Sequence, residues 1–125
     1  MSDTLVVAVS QSGTTTDTNR TVDLARARGA TVIAIVNRRS SELAEKADGV
    51  LYTSDGRDIE MSVASTKAFY AQIAAGILLA QAIAAKLPGS KKLGTGVLKG
   101  LKELPGAMNQ IIADRHIVAK VAQRH

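Results

Sequence analysis

A regular alternation of short aliphatic runs with helix-forming stretches constrains what the first half of this chain can fold into. Residues 4–9, 30–36 and 50–53 are runs rich in Val, Ile, Leu and Ala, as is typical of parallel strands covered on both faces. Residues 17–28 and 40–47 lie between these runs and have helical character. The order strand, helix, strand, helix, strand predicts an α/β fold with a doubly wound parallel sheet.

The helices are predicted from apolar spacing and from residues that end helices. In the first helix, Thr21, Leu24, Ala25 and Ala27 can line one apolar side, and Gly29 ends it. Residues 62–86 are predicted to form one long, largely buried helix that ends before Pro88 and Gly89. Two further helices are expected over residues 96–103 and 105–123.

Three strands make a thin sheet, because both of its edges would be exposed. We therefore expect a truncated sheet, with a partial domain over residues 1–87 and a helical linker or tail over residues 88–125. A length of 125 residues is otherwise that of a single domain.

Composition excludes several classes of chemistry. The chain has no Cys, which removes thiol nucleophiles, disulfides and zinc ribbons. Its two His residues are His116 and the last residue, His125. Two Tyr, one Phe and no Trp leave little material for stacking on nucleic acid bases. We therefore expect neither a metal nor a cofactor.

The net charge of +5 is concentrated in the last third of the chain. Residues 1–85 contain eight Lys and Arg against nine Asp and Glu, whereas residues 86–125 contain eight against two. Without a DNA-binding motif, this excess indicates a solvated face, and nucleic acid is not expected as a partner. The apolar run at residues 73–85 is short for a membrane span, so we expect a cytoplasmic protein without a membrane partner.

The strongest functional signal is the hydroxyl loop, residues 10–16 (SQSGTTT), which follows the first strand and leads into a helix. Hydroxyls, helix amides and the helix dipole point together at the carboxyl edge of the sheet, which indicates a phosphate site. Gly13 lets the backbone approach a ligand closely. The nucleotide motifs G-x-x-x-x-G-K-[ST] and G-x-G-x-x-G are both absent here. The alternative is that these hydroxyls only cap the helix.

A second polar segment, residues 60–67 (EMSVASTK), also leads from a loop into a helix. Ser62, Ser65 and Thr66 offer donors and Lys67 offers a cation near the first turn. This loop would open on the same edge of the sheet as the hydroxyl loop. The alternative is a capped core helix with Lys67 in solvent.

SQSGTTTDT (residues 10–18) and VASTKAF (residues 63–69) together resemble the SIS (sugar isomerase) phosphosugar-binding family. The resemblance is closest to the first SIS module in the isomerase half of glutamine-fructose-6-phosphate aminotransferases. It covers residues 5–86, and residues 100–105, together with the segment after them, look like the linker between two such modules.

The resemblance implies which residues bind. Phosphate and sugar contacts fall on Ser10, Gln11, Ser12, Gly13 and Thr15 of the hydroxyl loop, with Val63 and Ser65 on the sugar side. Thr14 stands where these enzymes usually have Glu. Ser62 stands where they commonly have Gly, and this departure indicates a paralogue with an altered sugar preference.

The implied function is binding of a hexose 6-phosphate, such as fructose 6-phosphate or glucosamine 6-phosphate, by a fragment or homologue of such an aminotransferase. The family's acid/base Glu, Schiff-base Lys and ring-opening His belong to a second module, so no catalytic residue is assigned here. We expect a homo-oligomer. Two alternatives stay open: a non-catalytic phosphosugar sensor, like SIS domains attached to DNA-binding regulators, and a structural half-domain that needs a partner.

Overall fold

The computed structural model describes residues 1–55, 66–89 and 95–124. The chain forms two compact units, Met1–Ile83 and Ala84–His125. In chain order the elements are β1 (Leu5–Ser10), α1 (Thr16–Ala27), β2 (Thr31–Val36), α2 (Glu42–Lys46), β3 (Gly49–Tyr52), α3 (Thr66–Ala84), α4 (Thr95–Ala113) and α5 (Arg115–Ala122). The alternation of strands and helices in the first unit confirms the predicted α/β class.

The three strands form a parallel sheet in the order β1-β2-β3. Leu5 pairs with Thr31 at the start of the first ladder, and Ile33 pairs with Gly49 at the start of the second. Because all three strands run in the same direction, their carboxyl ends lie at one edge of the sheet. The segments that follow β1, β2 and β3 therefore begin beside one another.

The core lies on the face of the sheet that α1 and α2 cover. Its buried residues come from two strands and both helices: Ala8, Val22, Val32, Ala34, Val36 and Leu43. In α1 the buried residues are Asn19, Val22 and Ala25, whereas Leu24 is 61% exposed. The predicted apolar side of α1 was therefore wrong except for Ala25, because the helix turns a face that includes a polar residue toward the sheet.

The opposite face of the sheet is covered unevenly. Ile35 of the central strand is 1% exposed, whereas Leu5, Val7 and Val9 of β1 are 41–51% exposed. The expectation that the first strand is covered on both faces was wrong, because the odd-numbered side chains of β1 lie on the less covered face of the sheet and stay accessible.

The long helix predicted after β3 is present as α3 but is mostly accessible. Ala68 is its buried residue among those described, so the expectation of a largely buried helix was wrong. With 19 residues, α3 is also long and apolar enough to cross a membrane by length and composition. One such helix is weak evidence, because helices of soluble domains can have the same length and composition.

The second unit contains α4 and α5, which differ from the two predicted helices. α4 continues through Pro105 to Ala113, and the break comes at Asp114. The prediction of a break before Pro105 was wrong. Proline removes one backbone hydrogen bond, but α4 continues through it. Large apolar residues of both helices are exposed, among them Ile111 at 74% and Val118 at 70%.

Asp48 joins α1 to the start of the central strand. Its Oδ2 accepts a hydrogen bond from the Val32 amide over 2.8 Å, and its Oδ1 accepts one from Arg26 over 2.7 Å. The Val32 amide and then the Arg26 guanidinium hold the pKa of Asp48 below its usual value of 3.8. Both interactions favour the charged carboxylate, so the folded state binds a proton here less readily than the unfolded chain.

We expect Asp48→Asn to remove a pH-dependent part of the stability. A depressed folded pKa contributes stability above the unfolded value near 3.8, and this is lost as pH falls through the lower folded pKa. Urea unfolding at a series of pH values should give the wild type a larger free energy of unfolding than Asp48→Asn at neutral pH. The difference between the two should shrink on acidification. Glu45→Gln, which neutralises an exposed carboxylate of α2, is the control for charge removal. A difference that is constant across pH would contradict this role.

Candidate functional site at the carboxyl edge of the sheet

The hydroxyl loop is held by its own serines. Ser10 Oγ accepts a hydrogen bond from the Gly13 amide over 3.0 Å. Ser12 Oγ accepts from the Thr14 amide and from the Thr14 hydroxyl, over 3.3 and 2.9 Å. Each serine oxygen acts as an acceptor in these bonds, so its own proton is still available for donation. The loop therefore offers donors, which an anionic ligand requires.

Gly13 fixes the loop against the rest of the domain. Its φ of 67° lies in the left-handed region that favours glycine. A Cβ at this position would lie 2.7 Å from Ser41 Cβ and 3.0 Å from Val36 Cγ2. The Gly13 carbonyl accepts hydrogen bonds from the Leu43 amide over 3.0 Å and from Asn19 Nδ2 over 3.2 Å. The loop thus rests on the first turn of α2 and on a buried side chain of α1.

The beginning of α1 lacks the side-chain cap that the capping alternative requires. Thr15 is the N-cap residue, with an extended backbone and no side-chain hydrogen bond to the helix. By contrast, Ser41 caps α2 and accepts from the Ala44 amide over 3.4 Å. The first amides of a helix have no intrahelical acceptor, and at α1 the cap side chain does not supply one. This leaves amide donors beside the hydroxyls of the loop.

A small cleft of about 40 Å³, open to solvent, lies at the carboxyl edge of the sheet. Its lining residues follow the three strands or begin α3: Gln11, Asn37, Thr53, Ser54, Lys67, Ala68 and Ala71. Hydrogen-bond donors, hydrogen-bond acceptors and one cationic side chain therefore line the same cleft. The lining offers these donors, these acceptors and one positive charge to a small anionic group.

Asn37 organises the strand ends on one side of this cleft. It is 8% exposed, and its Oδ1 accepts hydrogen bonds from the hydroxyls of Thr53 and Ser54. Nearby, the Arg39 guanidinium lies 4.5 Å from the centre of the Tyr52 ring. The ends of β2 and β3 are thus tied together by side chains.

The structure brings part of the predicted site to the cleft. Gln11 lines it, as does Lys67, while Ser10, Ser12, Gly13 and Thr15 lie in the hydroxyl loop around Gln11. Val63 and Ser65 lie outside the described residues, as does most of the segment at residues 60–67.

Asn37, Thr53 and Ser54 were missed by the site prediction. Each is a polar residue placed directly after a predicted strand or at its end. Because parallel strands end at one edge, considering the polar residues at the end of each strand and directly after it would have found all three.

A family comparison identifies the domain: residues 1–82 match the model of the SIS domain. This chain belongs to the SIS domain family. The match spans the sheet, the hydroxyl loop and nearly all of α3, so the fold and the family resemblance seen in the sequence are confirmed. Within the described part of the chain, no group of three His, Asp or Glu residues could hold a metal ion.

Relatives of this SIS chain are aminotransferases. It is 45% identical over 122 residues to the glutamine--fructose-6-phosphate aminotransferase [isomerizing] of Corynebacterium glutamicum and 42% identical over 125 residues to that of Mycobacterium tuberculosis H37Rv. These matches cover 96% and 97% of this chain but 19% of each relative. The C-terminal domain of glucosamine-fructose-6-phosphate aminotransferase from Francisella tularensis matches with a TM-score of 0.67 and 29% identity, over 95% of this chain and 33% of that one. The chain thus spans about a fifth of the length of these curated relatives.

Gly13→Ala should destabilise the domain by more than about 2 kcal/mol, because it combines left-handed strain with overpacking against Ser41. Gly76→Ala in α3 is the matched control. No atom lies within 4 Å of its added Cβ, so it should stabilise the helix by up to about 1 kcal/mol. Urea unfolding of both variants measures the difference, and equal effects would contradict the tight packing at Gly13.

Proposed function

We propose that this chain binds a phosphosugar of the hexose 6-phosphate class at the hydroxyl loop and the adjoining cleft. Fructose 6-phosphate and glucosamine 6-phosphate are the ligands that we would test first. The binding residues are Ser10, Gln11, Ser12, Gly13 and Thr15, together with Val63 and Ser65.

The observation that carries this proposal is the donor character of the loop. The hydroxyls of Ser10 and Ser12 are used as acceptors within the loop, and Thr15 leaves the start of α1 without a side-chain cap. The site therefore presents O–H and N–H groups on a backbone that Gly13 holds rigidly. A phosphate takes many hydrogen bonds as an acceptor, and it is favoured at the positive end of a helix dipole.

The cleft supplies the place for the sugar. Gln11 belongs to both the loop and the cleft, so a ligand with its phosphate in the loop can extend past Gln11 toward Asn37 and Lys67. Sugar hydroxyls donate and accept, and the cleft offers hydroxyl, amide and ammonium groups that match both roles.

We further propose that the chain corresponds to an SIS module of an isomerising glutamine-fructose-6-phosphate aminotransferase. The identity of 41–45% with several aminotransferases supports this assignment. Within this proposal the chain's residues bind and orient the phosphosugar, and no catalytic residue is assigned to them. The cytoplasm remains the expected location, and a homo-oligomer the expected state. The exposed apolar side chains of β1 support self-association.

A hexose 6-phosphate at one hundred times its dissociation constant should stabilise the chain by about 2.7 kcal/mol. Ser12→Ala removes a donor to a charged group and should weaken binding by about tenfold or more. At the same ligand concentration the gain in stability would fall to about 1.4 kcal/mol or less. Thermal unfolding with and without ligand measures both values.

Two controls make this result specific. The unphosphorylated hexose should give no shift at the same concentration, since the loop recognises the phosphate. Ser40→Ala, which removes an exposed serine hydroxyl outside the loop, should keep the full shift. Equal shifts from hexose and hexose 6-phosphate would refute the proposed phosphate site.

A further inference from the structure

Gln72 of α3 contacts the hydroxyl loop through a side-chain hydrogen bond. Its Nε2 group donates to Oε1 of Gln11 over 3.2 Å, and the bond is partly buried. The two residues are 61 positions apart in the chain. The bond therefore connects the loop after β1 with the helix that follows β3.

In this bond Gln11 uses the oxygen end of its carboxamide. A carboxamide has an oxygen that accepts and a nitrogen that donates. Since Oε1 of Gln11 is engaged by Gln72, the end left for a ligand in the cleft is the Nε2 group. Across residues 1–55, 66–89 and 95–124, the structure shows no acceptor for that group.

We propose that Gln72 is a positioning residue that holds Gln11 as a hydrogen-bond donor toward a phosphate oxygen of the bound phosphosugar. This inference rests on the proposed function, because the oxygen that accepts the hydrogen bond from Gln11 belongs to the proposed ligand. Without Gln72, the carboxamide of Gln11 can turn over and present its oxygen to the ligand. Two acceptors facing each other repel, so the ligand would bind less tightly.

Gln72→Glu tests the orientation directly. A carboxylate only accepts hydrogen bonds, so Gln11 must turn its Nε2 group toward Glu and its oxygen toward the cleft. Hexose 6-phosphate should then bind about tenfold more weakly to the full chain, as titration calorimetry would measure. Ala80→Glu places the same charge on an exposed position of α3 and should leave the affinity within about twofold.

A double-mutant cycle separates orientation from added charge. In the Gln11→Met background no carboxamide remains to be turned, so Gln72→Glu should weaken binding there by about twofold only. A loss of the same size in both backgrounds would mean that charge alone acts, and it would overturn the positioning role. No loss in either background would overturn it as well.

Side-chain amide NMR of the ligand-free protein gives a readout that does not require binding. In Gln72→Glu one Nε2 proton of Gln11 should move downfield, because it becomes bonded to a carboxylate. Unchanged Gln11 resonances would overturn the inference. If the wild type failed to bind hexose 6-phosphate while the resonance moved, the proposed function would fail and the orienting contact would stand.

Discussion

The Gly13 carbonyl is the point on which the architecture of the site depends. It accepts one hydrogen bond from the first turn of α2 and another from the buried Asn19 of α1. Both helices of the core are therefore hydrogen-bonded to the same peptide group of the hydroxyl loop. A loop held in this way loses little further freedom when a ligand binds, and such preorganisation favours affinity.

Parallel strand direction explains why the site is assembled from distant parts of the sequence. Gln11, Asn37 and Thr53 each follow or end a different strand, and they meet because all three strands end at the same edge. The fold thus brings three short polar segments together at one place. Side-chain hydrogen bonds to Asn37 then hold two of these segments in place.

Local residue patterns were enough to predict the strands, the hydroxyl loop and the short helix α2, because β-branched runs, glycine and a serine cap act over a few residues. The buried side of a helix and the contacts between distant side chains were not predictable in the same way. The buried side of α1 includes Asn19, whose Nδ2 group donates to the carbonyls of Gly13 and Thr15 in the folded loop. Likewise, the contact between Gln72 and Gln11 joins residues 61 positions apart, and no local pattern marks such a pair. Gln11 and Lys67, which belong to the two segments singled out in the sequence, line the cleft, whereas Asn37, Thr53 and Ser54 were missed.

Strand order has a consequence for how the domain assembles. Because β1, β2 and β3 are neighbours in both sequence and space, each pairing needs only the closure of a modest loop across one helix. Chains with such local pairing lose less entropy before their contacts form, and they fold faster than sheets with distant partners. The central strand β2 is bonded on both sides, so its amides should exchange with solvent deuterium more slowly than those of β1 and β3.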